Sequence, residues 1–112
     1  MSCERTIFWP GITGEEYKYC IYPIGVSFEP VPGNYILARE TGPQRWTAIY
    51  IGETDNLDEL LSNLDNEEII KCIRLYGGTH IHVHNHSFDS CVRRREVTDI
   101  SRKCHPLGKS ED

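Results

Sequence analysis

The chain has 112 residues, 38% of them hydrophobic, and a formal net charge of −5; this suits one domain with one core and is too short for two ordinary ones. No apolar run approaches the ~20 residues of a membrane span, and the start "MSCERTIFWPGITGEE" lacks the basic and apolar stretches of a secretion signal. A soluble, cytoplasmic protein is expected, with its five cysteines, an odd count without any CxxC, read as reduced thiols.

The first alternating segment is Tyr17, Tyr19 and Ile21, stopped by Pro23: a short edge strand, preceded by a flexible arm and followed by the connector "FEPVPG". Next come "NYILAR" and "WTAIYIG", two β-branched and aromatic runs parted by "ETGPQR", which is a hairpin signal, with Gly52 ending the second strand. In "ETDNLDELLSNL", Leu57, Leu60, Leu61 and Leu64 fall at i, i+3, i+4 and i+7 behind Thr54 or Asp55 as N-cap, so a helix is expected. "NEEIIKCIRLYGG" repeats the pattern, with Asn66 as cap, Glu67 and Glu68 at the positive end, Ile69, Ile70, Ile73 and Tyr76 inward, and Gly77 as terminator. "THIHVHNHSF" is a strand with His80, His82, His84 and His86 on one face and Ile81 and Val83 on the other. From Ser87 a third helix follows, capped by Ser87 or Asp89, before a tail that Pro106 and Gly108 keep from being helical. The fold class is α/β (α+β): a small antiparallel sheet of three to four strands flanked by about three helices.

Charge is unevenly divided. Residues 1–70 hold four basic and twelve acidic side chains, residues 71–109 eight basic and three acidic. Phosphate contacts are local and screened beyond about 10 Å, so this permits a basic patch on an acidic protein. Two ordinary solvated surfaces are the plain alternative.

The outer histidines of an extended strand lie roughly 20 Å apart, so four cannot serve one ion. Zinc gathers ligands from several elements, and Mg²⁺ avoids imidazole. The row is therefore read as polar donors, solvent-facing or covered by a helix, able to touch phosphates through His82 and His84 and partly charged below pH ~6.5. Adventitious Ni²⁺ or Zn²⁺ binding by two or three of them is the alternative.

On the last helix, steps of four from Phe88 reach Val92, Glu96 and Ile100, which puts Glu96 in the core-facing stripe. A carboxylate there costs several kcal/mol unless it is paired, hydrogen-bonded or bound to a cation. Function, an ion pair with Arg93 or Arg95, and drift of the stripe are the three explanations.

"GNYILAR" followed by "AIYIGETDNL" resembles the two halves of the GIY-YIG nuclease motif. Gly33-Asn34-Tyr35 stands for the first triplet, with Asn in the Ile place, and Tyr50-Ile51-Gly52 matches the second. Together with "VPGNYILAR", "YIGETDNL" and "GGTHIHVH", residues 17–107 resemble a small single-domain bacterial branch of that family. The resemblance implies two tyrosines, a helix arginine and a later glutamate around one divalent cation and the scissile phosphodiester. Tyr35 would activate water or relay its proton, Tyr50 would orient water or phosphate, and Glu96 would hold Mg²⁺ or Mn²⁺. Hydrolysis of that bond does need a positioned hydroxide and cationic stabilisation of the phosphate. Both tyrosines are otherwise ordinary strand aromatics.

The chain departs from the pattern at three places. The arginine position falls on Leu60, seven acidic residues and no basic one lie from Glu53 to Glu68, and "PLGK" lacks the asparagine often found near the C-terminus. Arg39, Arg45 or Arg94 would have to reach the phosphate instead. The resemblance thus implies a divalent-metal-dependent DNA endonuclease, impaired at the arginine, or a catalytically degenerate module on the same fold that binds nucleic acid or a protein.

Overall fold

A computed structural model describes residues 3–62, 66–85 and 87–108. Its strands are β1 (Thr6–Pro10), β2 (Glu16–Pro23), β3 (Gly33–Gly42), β4 (Arg45–Thr54) and β5 (His80–His84), and its α-helices are α1 (Glu67–Tyr76) and α2 (Ser90–Cys104). The strands form one sheet, antiparallel throughout, in the order β1-β2-β5-β3-β4. Five strands replace the expected three to four because the segment before residue 17, read as an arm, contains β1. Trp9 of that strand pairs with Tyr17 while Cys20 pairs with Val83 on the other side. β2 is therefore an interior strand, not an edge.

β3 carries the core. Its first six residues are all buried, because the sheet is covered on both faces. Tyr35 and Leu37 join Ile49, Ile69, Ile81 and Val83 under α1, whereas Ile36 and Ala38 join Trp9, Tyr19, Val97 and Ile100 under α2. Successive strand residues point to opposite faces, so these clusters lie on either side of the sheet.

α1 follows its sequence signals. Asn66 Oδ1 accepts the Ile69 N–H at 3.2 Å, and Gly77 ends the helix in the left-handed region at φ 72°. The leucine segment before it is helical as expected, but not as an α-helix. It is a five-residue π-helical turn, Asp58–Ser62, stitched to the connector. The Leu57 and Asp58 amides donate to the carbonyls of Val31 and Glu29, and the Phe28 amide donates to Ser62 Oγ at 2.7 Å. Leu57 and Leu61 are still buried, but the cap is Asn56, whose Oδ1 accepts the Glu59 N–H, rather than Thr54 or Asp55. Leu64 lies outside the described residues.

α2 starts behind Asp89, whose carboxylate accepts the Cys91 N–H at 2.8 Å. Its buried residues are Arg93, Glu96, Val97, Asp99, Ile100 and Ser101. Phe88, 88% exposed, and Val92, 38% exposed, are not among them. A four-residue step drifts by about 40° per turn, which separates the two ends of the sequence pattern. After α2 the chain runs beside β4, where Leu107 and Gly108 donate to the carbonyls of Ala48 and Ile49; the tail is tied down as far as residue 108.

Cys3 and Cys20 are joined by a disulfide, while Cys72, Cys91 and Cys104 are free. The reading of five reduced thiols is corrected for the first pair, whose Cα atoms lie 5.5 Å apart. Among the described residues no helix is long and apolar enough to cross a membrane.

Candidate functional site

The register of the β3–β4 hairpin sets Tyr35 opposite Gly52 and Leu37 opposite Tyr50, so the two phenols are diagonal neighbours on the α1 face. Their rings stack at 6.1 Å with planes 12° apart. Tyr35 is buried, and Leu60 packs against the same cluster, so an apolar side chain stands where the resemblance asks for arginine.

Glu96 lies on the other face. Its Oε2 accepts the Tyr19 O–H at 2.6 Å and bonds to His84 Nδ1 at 2.9 Å. A carboxylate only accepts, so the imidazole proton sits on Nδ1. Burial and the Glu96 charge raise the Tyr19 phenol well above its usual pKa, which keeps it a donor. The His84 ring packs on Tyr19 with centroids 5.3 Å apart. Tyr35 and Tyr50 are thus brought together, and Glu96 is separated from them by the sheet.

This arrangement does not suit Mg²⁺ at Glu96. The ion demands near-octahedral oxygen ligands and keeps several waters, whereas the Glu96 carboxylate is 3% exposed and faces a phenol and an imidazole. Among the described residues no group of three His, Cys, Asp or Glu could hold a metal ion.

His80, His82 and His84 alternate with Ile81 and Val83 as expected, and His86 lies outside the described residues. Each packs against an aromatic ring: His80 on Trp46 at 5.0 Å, His82 on Trp46 at 4.5 Å, His84 on Tyr19. Trp46 reaches them from β4 by crossing β3, where Ala38 and Ala48 leave room. His82 is fully buried, and its Nδ1 accepts the Trp9 indole N–H at 2.9 Å. It is therefore not available to a phosphate. Burial, helped by the charges of His80 and Arg5, pushes its pKa down to about 3 and holds it neutral.

The arginines are dispersed. Arg39 and Arg45 are exposed toward the closed end of the hairpin, while Arg94 reaches Glu53 at 3.4 Å near the open end. Arg93, which sequence offers only as a partner for Glu96, is fully buried and bonds instead to Glu53 at 2.9 Å, to Asp55 and to the Ser87 carbonyl. Asn34 donates to the Arg93 carbonyl at 2.8 Å. Asparagine in the isoleucine place of the first triplet therefore ties β3 to α2.

Sequence reasoning missed Asp99. Its carboxylate accepts the Thr13 N–H at 3.1 Å, the Thr13 hydroxyl at 2.8 Å and the Tyr17 hydroxyl at 2.7 Å, and its carbonyl accepts the Ile12 N–H. Burial raises its pKa, but the hydrogen bonds from Tyr17 and Thr13 outweigh burial and hold it below its usual value. Gly11 is required here, since a Cβ would stand 1.9 Å from Asp99 Oδ2. The available signal is spacing: an acid three residues after Glu96 falls on the same helix face. Compared with family models, curated proteins and solved structures, the chain finds no match in any of the three.

Proposed function

We propose that this chain is a GIY-YIG-like domain that binds DNA without cutting it. One observation carries the reading: the motif residues are divided, Tyr35 and Tyr50 under α1 and Glu96 under α2 with Tyr19 and His84 on its carboxylate. Hydrolysis requires reacting atoms within about 3.5 Å of one another, and groups on opposite faces of a sheet do not meet that condition. Leu60 adds to the loss, because an arginine at a phosphoryl transition state is worth up to about 10⁵ in rate.

The DNA half of the proposal rests on the motif resemblance and on charge. With Glu96 and Asp99 turned inward, α2 presents Arg94, Arg95, Arg102 and Lys103 on its outer side. A cytoplasmic location goes with DNA binding. The Cys3–Cys20 bond weighs against it, since reducing compartments keep thiols reduced.

A second reading, a Mg²⁺- or Mn²⁺-dependent endonuclease, is favoured by the stacked Tyr35 and Tyr50 rings. It needs an acid other than Glu96 on the α1 face. Supercoiled plasmid separates the two readings. The expected result with Mg²⁺ or Mn²⁺ is a mobility shift without nicked or linear product, unchanged in Glu96→Ala. Nicking by the wild type, whether or not Glu96→Ala abolishes it, would overturn the binding-only reading.

A further inference from the structure

We infer that the groove between the β1–β2 turn and α2 is a phosphate site that seats the DNA backbone. The inference rests on the DNA-binding reading but places contact at a part of the chain that the motif residues do not reach. The groove encloses about 510 Å³ and is lined on the helix side by Arg94, Arg95, Thr98 and Arg102, and on the loop side by Ile12 and Thr13. Helical spacing brings positions 94, 95, 98 and 102 onto one side of α2. A guanidinium offers planar, paired donors that match two phosphate oxygens, and three of them along a wall fit successive phosphates better than a single anion.

The loop wall is built before any ligand arrives. Asp99 holds Thr13 by two hydrogen bonds and Tyr17 by a third, and Gly11 permits the close approach. A wall already fixed loses little conformational freedom on binding. The same hydrogen bonds occupy the oxygens of Asp99 in the groove floor without removing its negative charge. Glu15 remains in the lining and accepts the Tyr17 hydroxyl at 3.1 Å. The Arg94 side chain is 71% exposed and lies 3.4 Å from Glu53, whose other oxygen is held by Arg93 at 2.9 Å.

Two measurements test the groove. In a titration with inorganic phosphate, the Arg94, Arg95 and Arg102 side-chain Nε–H resonances are expected to shift saturably, while those of Arg39 and Arg45 stay in place. Absence of that difference overturns the proposal. In duplex-DNA binding against salt, the exposed triple variant Arg94→Gln/Arg95→Gln/Arg102→Gln is expected to lose tenfold or more in affinity. Its slope of log K against log salt should fall by about 2 to 3, the contribution of three phosphate contacts. Glu15→Gln, which removes a like charge from the lining, should tighten binding. Wild-type affinity and slope in the triple variant would overturn the groove while leaving DNA binding intact. Phosphate shifts in a chain that binds no DNA would overturn the DNA reading, and with it the DNA backbone as the ligand.

Discussion

Between pH 6.5 and about 3 the chain is expected to lose stability on acidification by up to about 1.4 kcal/mol per pH unit on account of His82 alone. The sign follows from the burial of that ring. Unfolded, a histidine titrates near 6.5; folded, His82 is pushed down to about 3. In this window the unfolded chain takes up a proton that the folded chain refuses, so acid favours unfolding. Above pH 6.5 both states are neutral and the effect vanishes. Across the window the total is on the order of 5 kcal/mol, the low end of the whole stability of a typical domain. Asp99 adds a loss of the same sign, but its carboxyl is held below the usual carboxylate value, so its contribution sets in only at lower pH. Denaturant melts of the wild type and His82→Leu from pH 7.5 to 4 check this. The variant should be the less stable at pH 7.5, because the Trp9 indole N–H loses its acceptor at a cost of about 1–3 kcal/mol. It should also lose most of the slope. An unchanged slope would place the titrating group elsewhere.

Arg93→Met is expected to destabilise the chain by about 3–5 kcal/mol, the range for breaking a buried ion pair from one side. The guanidinium is fully buried and holds Glu53 on β4, Asp55 beyond it and the Ser87 carbonyl before α2. Without it the Glu53 carboxylate, only 11% exposed, keeps Arg94 at 3.4 Å as a weaker neighbour. Adding Glu53→Gln should therefore restore part of the loss, because a neutral amide tolerates burial better than an unpaired carboxylate. Urea denaturation of the single and double variants gives both numbers. A loss under about 1 kcal/mol in the single variant would show that this cluster does not anchor α2 to the sheet.

Where signals are local, sequence and structure agree. The Asn66 cap, the Gly77 stop, the β3–β4 hairpin and the alternation through His80–His84 each depend on neighbours a few residues away. Non-local pairing was not legible. β1 is five residues ending in Pro10 and becomes a strand by pairing with residues 16–20. The leucine segment has the right stripe, yet the Glu29 and Val31 carbonyls capture its first amides and leave a π turn. On α2, Phe88 and Val92 suggested a stripe that begins a turn too early. The inward position of Glu96 could be read from period alone, but its partners Tyr19 and His84 come from β2 and β5, 77 and 12 residues away. The motif tyrosines share a hairpin, so their stacking follows from register; which face the acid occupies depends on where α2 crosses the sheet, and spacing does not encode that.

The position of Glu96 can be measured directly by nuclear Overhauser contacts from its γ-protons in the folded, metal-free chain. Cross-peaks to the rings of Tyr19 and His84, and none to Tyr35 or Tyr50, are the expected result. A cross-peak to either Tyr35 or Tyr50 would put the acid among the motif tyrosines and contradict the division on which the binding-only function rests.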